Sequence, residues 1–268
     1  MARASSKKDL EPTTVEALDR LSDVETCSLE QYITAASEYI RRQKQLTSGQ
    51  KKSGQIRLSN VLAKTFAVDL RKLLSRSVEL NVGERRVAGA LRPVNADVSE
   101  IHPTDGLRLA VELKPVNLAV GRAIWNRFGD VRTFAVNIHL KFPFCVVGGV
   151  LAVPTWEEVG TREADRAAEE EADIAASGET DGGNSVIASQ PEWKSTRHLI
   201  ERAVTRLIRA GGRRTEADAP HLLEAIAVVV YDPQSGHLDA DLPPRGSGLR
   251  WDEFIAAMAS AYDARFEE

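Results

Sequence analysis

The sequence predicts an α/β fold in which helices flank one central, mixed β-sheet. Three observations carry that prediction. Beyond Leu80 the apolar spacing changes from helical to strand periodicity, with turn chemistry between short segments. A helix-length stretch follows, and behind it comes an almost wholly apolar run, Phe144 to Val153, as expected of a strand covered on both faces. Helical and strand-like segments then alternate to the C-terminus. With 268 residues, 43% of them hydrophobic, the chain is long enough to bury a substantial core.

Taken in order, residues 1–27 read as a flexible polar tail and residues 28–268 as a single domain. A first helix over about 28–46 opens at Ser28, with Gln31 in capping-box spacing and Tyr32, Ile33, Ala36 and Ile40 on one face. A second, over about 54–76, carries Ile56, Leu58, Val61, Leu62, Phe66, Leu70 and Leu74. Three strands are expected at Arg86–Leu91, Asp97–His102 and Leu107–Lys114. Pro103-Thr104-Asp105-Gly106 is the turn between the last two, and Pro115 ends the third because it has no N–H to give a ladder. A crossover helix covers about 118–140. Residues 157–190 are acidic and rich in Ala, Gly and Ser, the composition of a flexible surface insert. A helix over about 191–210 stops at Gly211-Gly212, Ala225 to Tyr231 is a further buried strand, and Trp251 to Phe266 closes the chain as a helix.

Composition narrows the function classes. No run reaches the roughly 18 apolar residues of a membrane helix, and the basic N-terminus has no apolar segment behind it, so neither a membrane span nor a secretory signal is expected. Cys27 and Cys145 stand far apart in unrelated contexts, which argues against a disulfide framework or a thiolate zinc site and for a reducing, cytoplasmic location. The five histidines lack ligand-like spacing, and Gly148-Gly149 inside a strand marks close packing rather than a phosphate loop. The net charge of −4 hides two opposed regions. Residues 41–76 hold ten Lys or Arg against Asp69 alone, while residues 155–183 hold ten Asp or Glu against two arginines. Outside the acidic stretch the chain is net positive, with a basic segment suited to a phosphate backbone or simply to solvent.

The chemistry concentrates between Asp97 and Lys114. With Pro103 to Gly106 as a four-residue connection, His102 faces Leu107 and Asp97 falls opposite Glu112. Side chains alternate along a strand, so Glu112 and Lys114 share a face, and Asp97 lies on that face across the ladder. Leu107, Leu109, Val111 and Leu113 form the opposite, core face. A three-residue connection would slip the pairing by one and turn Asp97 away unless a bulge restored it. Two facing carboxylates repel unless a cation lies between them, and Mg²⁺ takes such hard oxygen ligands together with waters and phosphate oxygens. Lys114 would then position an attacking water and stabilise developing phosphate charge. The alternative is a cross-strand salt bridge with Asp97 as an ordinary strand-entry residue.

An Asp entering one strand, a hairpin, and Glu-x-Lys at the end of the next resembles the PD-(D/E)xK, or restriction-endonuclease-like, nuclease superfamily, most nearly a type II restriction endonuclease. The resemblance spans residues 54–153, and the order of helix, three-strand meander, crossover helix and strand resembles that fold's core. It implies Asp97 and Glu112 as Mg²⁺ ligands, Lys114 as the catalytic lysine, and hydrolysis of DNA. The sequence departs from the pattern in one respect: Ala96, not proline, precedes Asp97. Asp105 follows Pro103-Thr104 but belongs to the turn.

Accessory candidates are Ser99 and Arg108 on the proposed active face, Glu84 as an extra ligand, Asn117 ahead of the crossover helix, and Arg122 and Asn126 on it. Trp125, Phe128 and Phe134 read as core. Cutting both strands of a duplex implies a homodimer with two-fold symmetry, and a restriction enzyme implies a cognate DNA methyltransferase as a separate protein. The loops around 115–118 and 232–250 are candidates for base contact. The competing expectation is a non-catalytic nucleic-acid-binding or assembly module on the same fold, or a repair or RNA-directed nuclease of the superfamily.

Overall fold

Six strands, in spatial order residues 81–87, 94–102, 106–115, 146–154, 225–232 and 237–238, form one sheet with helices on both faces, in a computed structural model that describes residues 18, 20–21, 27–116, 119–158 and 193–266. Most of the expected tail, and the expected insert beyond residue 158, lie outside the described residues.

Helix α1 (Leu29–Arg42) starts where its cap predicts: Ser28 Oγ accepts the Gln31 N–H at 3.3 Å and Gln31 Oε1 accepts the Ser28 N–H at 2.9 Å. Helix α2 (Ser48–Leu73) begins six residues before the expected 54, because Thr47 and Gln50 form a second capping box. The meander is β1 (Asn81–Val87), β2 (Val94–His102) and β3 (Gly106–Pro115), all antiparallel. Helix α3 (Val120–His139) crosses to β4 (Val146–Pro154), which runs parallel to β3. Short strands β5 (Trp156–Glu158) and β6 (Trp193–Ser195) pair separately. Helix α4 (Arg197–Leu207) leads to β7 (Ala225–Asp232), parallel to β4, and β8 (His237–Leu238) precedes α5 (Trp251–Phe266).

The apolar positions of each strand divide between two cores. Leu109, Val111 and Leu113 join Phe66, Phe254 and Tyr262 under α1, α2 and α5. Ala110 and Val147 join Ile124, Val131 and Phe134 under α3 and Ile200 and Val204 under α4. The two cores meet at β4, where glycines allow close approach. A Cβ on Gly148 would lie 2.8 Å from Met258, and one on Gly149 would lie 2.4 Å from Val131.

Two expectations about the meander need correction. The first strand spans 81–87 rather than 86–91, because residues 88–93 turn under the control of Asn137, a residue of α3. The hairpin closes at His102↔Gly106, a three-residue connection with Gly106 at φ +74°, not the four-residue one expected. The slip this causes is undone within three residues. Arg108 bulges out of β3, so Glu100↔Leu109, Ser99↔Ala110 and Val98↔Val111 return to the register that sets Asp97 opposite Glu112. The bulge also moves Leu107 into the core beneath α3, opposite to Leu109.

Among the described residues no helix is long and apolar enough to cross a membrane, and both cysteines are free and buried.

Candidate active site

Asp97 sits where the β2–β3 ladder ends. Val98↔Val111 is the last backbone pair, and beyond it the Asp97 carboxylate accepts the Leu113 N–H at 2.6 Å. Ala96 and Val98, two residues apart, pack into different cores, so the regular alternation of β2 breaks at Asp97. A bulge on β1 lies opposite: Val82 pairs with Val98 but Arg85 pairs with Ala96, and Gly83 takes up the excess at φ +115°. These irregularities splay the sheet end and open it to solvent at the triad.

Glu112 and Lys114 face the same way from β3, and their side chains form an ion pair. Glu112 is buried to 8% exposure. Burial pushes its carboxyl up to about 7, against the pull of Lys114 and with the further push of Asp97 and Asp130. Burial also raises Asp97, partly offset by the Leu113 amide and Lys114 and reinforced by Glu84. Asp97, Glu112 and Lys114 therefore share one electrostatic environment, in which a single lysine does not fully compensate two carboxylates.

Two clefts meet at this point. One, of ≈ 340 Å³, runs under α2 and the start of α3; Asp97 and Lys114 lie in it with Gln55, Ser59, Asn60 and Arg127. The other, of ≈ 580 Å³, lies beneath the β1–β2 turn and contains Glu112, Lys114, Arg86, Arg92 and Asp130. Glu84 and Lys114 belong to both.

The accessory candidates fare unequally. Glu84 lies at the site, its carboxylate held by Asn95. Ser99 is fully buried and Arg108 nearly so, and both border a third cleft at the hairpin end of the sheet. Arg108 is the bulged residue; it pairs with Asp105 (Nε–Oδ2 2.7 Å) and lies over the Phe266 ring. Arg122 and Asn126 are exposed and line neither cleft at the triad. The site-facing stripe of α3 is instead Ala123, Arg127, Asp130 and Phe134, one residue round the helix. Trp125 is exposed, not core, and the Arg206 guanidinium lies 5.0 Å from its ring centroid. Asn117 lies outside the described residues. Sequence reasoning misses Asp130, Arg127, Arg86 and Arg92, although the i, i+3 spacing of Arg127 and Asp130 is visible in it.

Among the described residues no group of three or more His, Cys, Asp or Glu side chains is gathered to hold a metal ion unaided. The donor set is two carboxylates, Asp97 and Glu112, which suits Mg²⁺, an ion commonly bound by one or two carboxylates with waters and substrate phosphate completing its shell. Burial, more than their mutual repulsion, raises both carboxyls, and a bound divalent cation would favour their charged forms. Comparison with known protein families, with curated proteins and with solved structures gives no match to this chain.

Proposed function

We propose that the chain is a Mg²⁺-dependent DNA endonuclease built on a restriction-endonuclease-like core, working in the cytoplasm as a sequence-specific restriction enzyme of the type II kind. The observation that carries this reading is the meeting of Asp97, Glu112 and Lys114 at the splayed end of β2 and β3, open to two clefts. Asp97 and Glu112 would hold the ion. When bound, it supplies Lewis acidity toward a phosphoryl oxygen and charge for the developing anion. Lys114, already beside Glu112, orients the attacking water and stabilises negative charge on the phosphate. The water oxygen bonds to phosphorus and gives up its proton to solvent, one ester P–O bond breaks, and the departing oxygen takes a proton from a second solvent water. The Leu113 amide holds the Asp97 carboxylate in place, so little reorganisation is needed when the ion binds.

One observation favours a second reading, a non-catalytic nucleic-acid-binding module. Lys114 already pairs with Glu112, and among the described residues no third carboxylate joins Asp97 and Glu112 in a metal-holding group. The test is cleavage of unmethylated plasmid and phage DNA with Mg²⁺. Discrete, metal-dependent fragments lost in Asp97→Ala and Lys114→Ala support the nuclease. DNA binding without cleavage in Mg²⁺ or Mn²⁺ supports the module. A two-fold symmetric homodimer and a partner methyltransferase belong to the nuclease reading alone.

A further inference from the structure

We propose that Arg86 and Arg92 form a phosphate-binding track on the Glu112 side of the site, so that a DNA strand enters along α2, crosses Lys114 and leaves beneath the β1–β2 turn. This deepens the nuclease reading and rests on it for the nature of the ligand.

Lys114 and Glu84 line both clefts, and both clefts are open to solvent, so the reacting position lies between two open troughs rather than on the floor of a closed pocket. A mononucleotide or a chain end would need one trough only. A strand that continues on both sides of the scissile bond uses both, and it needs cationic groups in each.

The cleft under α2 has Arg127. The cleft beneath the β1–β2 turn has Arg86 and Arg92, both exposed, and neither guanidinium has an ion-pair or hydrogen-bond partner among the described residues. Arginine presents a planar fork that matches two phosphate oxygens.

The turn carrying Arg92 is also firmly held. Asn137, buried in α3, accepts the N–H groups of Leu91 (3.2 Å) and Arg92 (3.1 Å) through Oδ1, and its backbone carbonyl accepts the Ala90 N–H at 2.9 Å. Gly89 is required beneath them, since a Cβ there would lie 2.2 Å from the Arg92 carbonyl oxygen and 3.2 Å from Asn137. Three amides of an exposed turn are thus fixed to the helix that also supplies Asp130 to the same cleft. Arg86 stands on β1, its backbone paired with Asn95, and Asn95 in turn holds Glu84. Both arginines are carried by backbone tied to the site, which lowers the ordering cost of binding.

The experiment measures binding of a fluorescein-labelled DNA duplex, and separately of its single strand, by anisotropy from 50 to 250 mM salt in Ca²⁺. The proteins are wild type, Arg86→Ala/Arg92→Ala, and Arg202→Ala, an exposed residue of α4, as a control outside both clefts. Cleavage of covalently closed plasmid in Mg²⁺ runs in parallel. The track predicts binding weakened about 10–100-fold in the double variant and a salt slope reduced by about two, since each phosphate left without its arginine removes roughly 0.9 from that slope. It also predicts a raised KM with kcat within a few-fold, and an unchanged control. Binding and slope equal to wild type overturn the track, and if wild type still cuts, the nuclease reading survives without it. Loss of binding in the double variant, with no cutting by wild type, keeps the track and removes the nuclease. Absence of DNA binding by wild type overturns both.

Discussion

The Asp97 carboxylate accepts the Leu113 N–H at 2.6 Å, one step beyond the last backbone pair of the β2–β3 ladder. A side chain thereby takes the place of a strand carbonyl at the point where the sheet opens. The same carboxylate that holds β3 is part of the proposed ion site, so position and chemistry are tied to one residue. Asparagine can accept that amide hydrogen but lacks the charge. Asp97→Asn is therefore expected to melt within about 2 °C of wild type while losing Mg²⁺ binding and cleavage. Asp97→Ala leaves the amide without a partner and costs about 1–3 kcal/mol. Thermal denaturation of both variants checks this, and an Asp97→Asn protein that melts as low as Asp97→Ala contradicts it.

Lys114 is expected to act on the reaction more than on binding. Lys114→Met should reduce cleavage about 10²–10³-fold, the scale of removing one charge-stabilising donor. DNA affinity should remain within a few-fold of wild type. Single-turnover cleavage and equilibrium binding on the same duplex separate the two effects, and equal loss in both would assign Lys114 to binding alone.

The Glu112 carboxyl, pushed up to about 7 by burial, gives the metal-free protein a definite pH dependence. A group whose folded pKa lies above its unfolded value holds its proton more tightly when folded. That contribution is present below about pH 4.5 and is lost as pH rises through about 7, by at most about 3 kcal/mol. Metal-free protein should therefore melt higher at pH 6 than at pH 8, Glu112→Gln should flatten this trend, and Mg²⁺ should restore stability at pH 8. Melting curves at the two pH values, with and without Mg²⁺, test each part.

At the opposite end of the sheet the Glu224 side chain is fully buried among His139 (3.3 Å), Arg213 (3.1 Å) and Arg265 (2.7 Å), and it accepts the Val147 N–H at 2.7 Å. Burial alone would raise its pKa, but His139, Arg265 and the Val147 amide together hold it below the usual carboxylate range. Its stabilisation is present above about pH 4.5 and fades as pH falls further. Glu224→Gln leaves buried cations without their partner and should cost about 3–5 kcal/mol, with little change in the triad. Denaturant unfolding at neutral pH measures the cost, and a loss under about 1 kcal/mol would show that the cluster contributes little.

Asp97, Glu112 and Lys114 are legible in sequence because strand alternation and hairpin pairing depend on local residues. They reach the expected register by a different route from the expected turn, through a bulge at Arg108 that cancels a one-residue slip. Both cores are legible in the apolar positions of β3, β4 and α3, apart from Leu107, which that bulge reverses, and Trp125, which is exposed. The limits of the first strand are not, because they depend on Asn137, more than forty residues away, gripping the turn at Leu91 and Arg92. The polar stripe of α3 that faces the clefts lies one residue from the expected one. Spacing shows that two positions share a helix face, but which polar face meets the site depends on how α3 lies across the sheet end.

The most direct test of the central claim is cleavage of closed circular plasmid in Mg²⁺ by wild type and by Asp97→Asn, after both are shown to melt alike. Wild type is expected to convert supercoiled DNA to nicked and linear forms, EDTA to abolish the conversion, and Asp97→Asn to give none. Equal cleavage by the two proteins, or none by wild type in either Mg²⁺ or Mn²⁺, would contradict the proposed active site.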